Sequence, residues 1–171
     1  MSYYLAIDIG ASSGRHILGS IENGKIKLEE IYRFENGISK IEDEYCWDIK
    51  GLFNEIKNGI KKCKEIGKIP KTIGIDTWAV DFVLLDENDE ILGNAVAYRD
   101  DRTEGYMEKA FEVIPQDMLY LYTGIQFQRF NTLYQLLAIK DKNPEYLEKA
   151  KTFLMIPDYL NFLLTGKKVN E

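Results

Sequence analysis

Histidine occurs once in these 171 residues, at His16, and cysteine twice, at Cys46 and Cys63. The two cysteines form no Cys-x-x-Cys pair and there is no second imidazole, which excludes a Cys/His zinc site. Free thiols fit a reducing compartment. No apolar run approaches the ~18 residues of a membrane span. No leader segment is visible either, because Met1 runs almost directly into an apolar stretch. A cytoplasmic location is therefore expected. Positive charge is also scarce: 22 Lys and Arg stand against 28 Asp and Glu, for a net charge of −6. That balance argues against a nucleic-acid surface, which needs clustered cations. The one basic cluster, Lys57, Lys61, Lys62, Lys64 and Lys68, has the spacing of the wet face of an amphipathic helix. Gly-x-x-x-x-Gly-Lys is missing, which excludes a P-loop. Nothing around His16 resembles a Ser-His-Asp set. No repeat, low-complexity tract or Pro/Gly-rich linker interrupts the chain, and its length fits one domain at roughly 100–200 residues per domain.

What is present begins at Tyr4. Tyr4 to Ile9 is apolar except for Asp8 and ends on Gly10, the pattern of a short buried strand. A carboxylate at the end of such a strand is costly without a partner. Ala11, Ser12, Ser13 and Gly14 follow, the composition of a tight turn whose N–H groups and hydroxyls can hold an anion. Arg15 adds a fixed charge suited to phosphate. The chain then reads as strands over Tyr3–Gly10, His16–Ile21 and Lys25–Phe34. Asn23-Gly24 supplies a two-residue hairpin, and a register shift is expected at Ile31. Gly37–Glu44 is turn-like, and Tyr45–Trp47 is extended. Asp48 caps a helix carrying Ile49, Leu52, Phe53, Ile56, Ile60 and Cys63, stopped by Gly67 and Pro70. Thr72–Asp76 is a strand, reached by a crossover and so parallel to the first. A turn at Trp78-Ala79 leads to a strand closing at Asp86. Ile91-Leu92 and Ala95–Tyr98 are expected as short strands. Helices are expected at Glu104–Ile114, Gln116–Tyr122, Thr132–Lys140, Pro144–Ala150 and Pro157–Leu164.

The stretch Asp8-Ile9-Gly10-Ala11-Ser12-Ser13-Gly14-Arg15 resembles the first phosphate-binding hairpin of the FGGY family of carbohydrate kinases, and within it the rhamnulokinases. Four further blocks follow that pattern in order. They are Asp76-Thr77-Trp78-Ala79-Val80-Asp81, Ala97–Thr103, Thr123–Leu136 and Met155–Tyr159 with Leu164-Thr165-Gly166. The resemblance implies an α/β fold of the ribonuclease H-like, actin-like ATPase type. Its mixed sheet would start as three antiparallel strands with flanking helices, and would be incomplete. It implies that residues 1–171 are the N-terminal sugar- and phosphate-binding domain, ending before the last strand, with a second domain elsewhere. It implies ATP and Mg²⁺ as cofactors. Asp8 would be the metal residue, and Ala11, Ser12, Ser13, Gly14 and Arg15 would hold the nucleotide phosphates. Trp78, Ala79, Phe130 and Asn131 would face the sugar. The catalytic base would lie beyond Glu171, in a His-Asp-Thr segment. Ala79 departs from the family's glycine and adds a methyl group where the sugar approaches, which leaves the sugar open.

The activity so implied is ATP-dependent phosphorylation of a ketose, L-rhamnulose at O1, by the complete protein. Expected partners are a small sugar, with neither nucleic acid nor membrane. The chain alone is expected to be inactive and to self-associate through an exposed sheet edge or an inter-domain face. Two other readings stay open. A metal-dependent nuclease of the ribonuclease H-like fold would use Asp8 and Asp76 as ligands, but has no basic face here. A non-catalytic binding or regulatory module derived from a sugar kinase would keep the same motifs.

Overall fold

The computed structural model describes residues 1–170. Its strands and helices in chain order are β1 (Tyr3–Ile9), β2 (Ser13–Glu22), β3 (Lys25–Glu35), β4 (Ile38–Ile41), β5 (Glu44–Trp47), α1 (Ile49–Glu65), β6 (Pro70–Asp76), β7 (Phe82–Leu85), α2 (Tyr106–Val113), α3 (Gln116–Thr123), α4 (Thr132–Lys142), α5 (Pro144–Lys149), β8 (Thr152–Met155) and α6 (Ile156–Thr165). The chain gathers into two compact units. One holds Met1–Ser39, Trp47–Ala79 and the segment from Ile156 onward; the other holds Lys40–Cys46 and Val80–Met155.

The first unit is built on a mixed four-stranded sheet in the order β3-β2-β1-β6. Strands β1, β2 and β3 form the expected antiparallel meander. Asn23 and Gly24 join β2 to β3 with φ of 52° and 76°, the left-handed pair that a tight hairpin requires. The register of β3 shifts where His16 faces Tyr32 but Ile17 faces Glu30, which leaves Ile31 as the bulge. β6 returns parallel to β1, and its outer edge carries no strand among the described residues.

Alternation sends Leu5, Ile7, Ile9, His16, Leu18 and Phe34 into one face, with Leu52, Ile56 and Cys63 of α1 also buried in this unit. Each such aliphatic side chain contributes about 1.5–3 kcal/mol by leaving water. Helix α1 starts where Asp48 Oδ1 accepts from Gly51 N at 2.9 Å, a cap worth about 0.5–2 kcal/mol. It stops at Gly67, φ 69°, with Lys68 N bonded to Cys63 O and Gly67 N to Lys64 O. Gly59 is required on its inner face, because a methyl group there would fall inside the His16 ring. The basic cluster lies on the outer face as expected, with Lys57, Lys61 and Lys64 exposed.

The second unit pairs β7 antiparallel with β8. Phe82, Leu84 and Ile139 form one buried cluster, joined by Leu92, Leu136, Tyr146 and Phe153. Tyr106, Ala110, Tyr134 and Ala138 form another, between α2 and α4.

Three expectations need correction, and Thr152–Met155, where no element is expected, is a strand because its residues pair with β7. Ile38–Ile41 is strand β4, paired with β5, and not turn. Ile91-Leu92 and Ala95–Tyr98 are not strands; only single bridges occur there, Leu85 to Ile91 and Cys46 to Val96. The helix expected at Glu104–Ile114 is preceded by a 3₁₀ turn, Asp101–Thr103, and begins only after Gly105, whose φ is 77°.

Candidate active site

Strands β1 and β6 run parallel; Asp8 is the last residue but one of β1, and Asp76 is the last residue of β6. Asp8 and Asp76 occupy facing positions in the register. The carboxyl end of parallel strands is where α/β sheets place their ligands. Asp8 is half-buried rather than buried, and its partner is Arg15. Nε and Nη2 of Arg15 both reach Asp8 Oδ2, at 2.9 and 2.8 Å. Asp8 Oδ1 has no partner among the described residues. The guanidinium expected to serve phosphate is thus tied on one side to Asp8, with Nη1 left over.

The turn between β1 and β2 is closed by Gly10 N to Ser13 O at 2.9 Å. Asn36 holds it from outside, with Nδ2 donating to Gly10 O at 2.8 Å and its own N–H to Ser12 O at 3.0 Å. The amides of Ala11 and Ser12 and the hydroxyls of Ser12 and Ser13 take no partner among the described residues. Unpaired amide and hydroxyl donors in one turn suit an anion. Gly14 sits against the Phe34 ring, where any side chain would collide. Beneath the hairpin His16 is fully buried. Its Nε2 lies 3.3 Å from Ile56 O, and Nδ1 is buried without a partner. Burial holds its pKa below the usual imidazole value, against the opposing pull of the Ile56 carbonyl and Glu55.

Beyond β6, Trp78 packs against Trp47 with ring centroids 3.9 Å apart and the planes tilted by 31°. Thr77 Oγ1 donates to Trp78 O at 2.9 Å, and Ala79 is exposed. Asp8, Ala11–Arg15 and the Asp76–Ala79 turn all belong to the first unit.

In the second unit the charge run around Arg99 is ordered by Asp100. Its Oδ2 accepts from Tyr45 N and its Oδ1 from Arg102 N, both at 2.8 Å. Asp81 is buried, and its Oδ2 accepts from Tyr98 N at 3.0 Å. Tyr98 meets Phe130 edge-on at 5.6 Å. Asn131 donates from Nδ2 to Gln126 O at 3.0 Å. It also lines a largely apolar cavity of about 250 Å³ with Leu119, Phe127 and Tyr134. Burial lowers the Arg102 pKa, opposed by the Glu44, Asp100 and Asp81 carboxylates.

Two participants escaped the sequence reading. Asn36 gives no signal beyond its position after a strand. Gln135 gives one: it is a lone polar residue among Leu133, Tyr134, Leu136 and Leu137, at a helix position that proves to be 1% exposed.

Residues 3–171 match the N-terminal domain of the FGGY family of carbohydrate kinases. A rhamnulokinase of Halalkalibacterium halodurans is 61% identical over the whole chain, and the match covers 36% of that protein. The rhamnulokinase of Bacillus subtilis is 47% identical over 98% of the chain and 34% of its own length. The chain therefore spans about a third of the length of these curated relatives. Among solved structures, a ligand-bound xylulose kinase from Lactobacillus acidophilus superposes with a TM-score of 0.82 at 23% identity, covering 98% of this chain and 34% of that one. Plasmodium falciparum glycerol kinase with ADP gives 0.74 at 21% identity, covering 97% and 35%. These structural likenesses show the fold: mixed α/β, of the actin-like ATPase type.

Proposed function

Because the chain belongs to the FGGY family of carbohydrate kinases, we propose that it is the N-terminal sugar- and phosphate-binding part of an ATP-dependent ketose kinase acting on L-rhamnulose at O1. One observation carries the reading. A turn with unpaired amides and hydroxyls stands beside Asp8, whose Oδ1 is free, at the carboxyl ends of parallel strands. Phosphoryl transfer asks little covalent chemistry of the protein. It asks for positioning and for stabilisation of charge on the transferred group.

The residues present fit a nucleotide phosphate and its metal. Mg²⁺ is commonly held through one or two carboxylates, waters and phosphate oxygens. Asp8 would hold it, directly or through water, and the metal would neutralise charge on the phosphates. Ala11, Ser12, Ser13 and Gly14 would hold phosphate oxygens by N–H and hydroxyl donors. The Nη1 side of Arg15 would add a cation. Trp78, Ala79, Phe130 and Asn131 are assigned to the sugar. The base that accepts the hydroxyl proton is assigned to a His-Asp-Thr segment outside these residues, so residues 1–171 alone are expected to be inactive. Separated from the rest of such a kinase, the chain would self-associate along the open edge of β6. An apolar groove of about 660 Å³ lined by Ile60, Ile69, Ile73 and Leu164 includes a residue of that edge.

The test is the reading frame after Glu171. An in-frame His-Asp-Thr segment within a protein of the relatives' length supports a kinase. A full-length protein without it would be a non-catalytic module, and the reading would fall.

A further inference from the structure

Val80 has a φ of 71°, a left-handed conformation that a β-branched residue enters only against steric repulsion between its side chain and its own backbone. Such a conformation persists where neighbours hold it, and the second unit contains the holder. Val80 O accepts from Thr132 Oγ1 at 2.8 Å and from Gln135 Nε2 at 3.3 Å. The same Gln135 amide nitrogen donates to Asp81 Oδ1 and to Phe130 O, both at 3.0 Å, while Oε1 accepts from Arg102 Nη2 at 2.5 Å. The orientation of this amide is fixed by its partners, since arginine only donates and the carbonyls and carboxylate only accept. Asp81, the next residue, is 0% exposed and is held again by Tyr98 N.

A leucine would fill the same helix position without any polar group to satisfy. The glutamine instead shares its two amide hydrogens among three acceptors: the carboxylate of Asp81, the carbonyl immediately before Asn131 and, at the longest distance, the strained Val80 carbonyl. We infer that Gln135 is a positioning residue. It sets the backbone around the proposed sugar contact Asn131, by holding Val80, which lines the same cavity as Asn131, in its left-handed conformation and tying Phe130 O to the same amide. The inference rests on the sugar-kinase reading for its substrate and on hydrogen bonds within one unit for its mechanism.

Two readouts test it. On the 171-residue chain, the one-bond Cα–Hα coupling of Val80 reports the sign of φ. It should show a left-handed Val80 in the wild type and a shift toward the extended value in Gln135→Leu. In the full-length kinase, Gln135→Leu should raise the KM for ketose about tenfold, the loss expected from one or two buried hydrogen bonds, with the KM for ATP within about twofold. Glycine adopts positive φ without steric cost. Adding Val80→Gly should therefore return the ketose KM to within about threefold of wild type, a rescue that a merely structural role for Gln135 would not give. Should Gln135→Leu fail to fold, Thr132→Val, which removes one bond to Val80 O, should move the same KM in the same direction by a smaller factor. An unmoved Val80 coupling, or a ketose KM no different from wild type, would overturn the inference and leave the kinase reading standing. Absence of ketose-dependent turnover in the wild-type enzyme would overturn the reading on which it rests.

Discussion

Asp8 and Asp76 face each other at the ends of parallel strands, and of the two only Asp8 is held by a cation among the described residues, with Arg15 Nη2 2.8 Å from its Oδ2. The pair is nearly half exposed on both sides, so it adds only ~0–1 kcal/mol to stability. Its importance is placement: Arg15 takes one carboxylate oxygen and leaves Oδ1 without a partner among the described residues.

Asp8→Asn should therefore leave the fold intact and remove a charge needed where phosphate charge is redistributed. In the full-length kinase, kcat should fall by about 10²-fold or more, while the KM for sugar stays within about threefold. Near-wild-type turnover in a coupled ADP-release assay would refute the metal assignment.

Ala79 is exposed after a turn that a sugar is proposed to approach closely. Ala79→Gly should be tolerated, with rhamnulose used as well as or better than in the wild type. Ala79→Val should raise the KM for ketose. Unchanged KM and kcat for Ala79→Val across several ketoses would place the sugar elsewhere.

His16 gives a pH dependence with a definite sign. Its folded pKa lies below the ordinary value of 6.5, chiefly because burial disfavours the imidazolium. The unfolded chain thus binds the proton more tightly. Stability from this group is fully present above about pH 6.5 and is lost as pH falls from there through the lowered folded pKa. Glu55, hydrogen-bonded by Tyr32 at 2.5 Å, opposes the shift without reversing it. Urea denaturation at pH 7.5 and 5.5 should show a larger acid loss for the wild type than for His16→Gln. Equal losses would remove His16 from the account.

The open β6 edge predicts behaviour of the isolated chain. Unpaired N–H and C=O groups along a strand template another chain, and Ile73 is 38% exposed there. Sedimentation of residues 1–171 should show dimers or larger species at high micromolar concentration, weakened by Ile73→Lys. A well-folded monomer at that concentration would contradict it.

Much of this architecture was legible because local signals agreed with tertiary ones. Asn23-Gly24 marks a hairpin, Asp48 a cap, and the spacing Ile49, Leu52, Ile56, Cys63 a buried helix face. Asp8 and the small residues after it mark the turn. Other features depend on distant partners. Ile38–Ile41 is a strand because β5 lies beside it, and Thr152–Met155 because β7 does. Ile91-Leu92 has strand composition but makes only one bridge. The Arg15–Asp8 tie could not be read either, since both residues looked committed to a ligand. Exposure was equally hidden: Ile26 and Leu28 alternate like core residues, yet are 77% and 67% exposed near the hairpin tip.

The central claim is that this fold serves phosphorylation of a ketose. The most direct measurement is ADP release by the full-length protein with ATP, Mg²⁺ and a panel of ketoses. The account predicts turnover that requires the sugar, is greatest with L-rhamnulose and yields the 1-phosphate. ATP hydrolysis indifferent to every sugar, or no turnover with any of them, would contradict it.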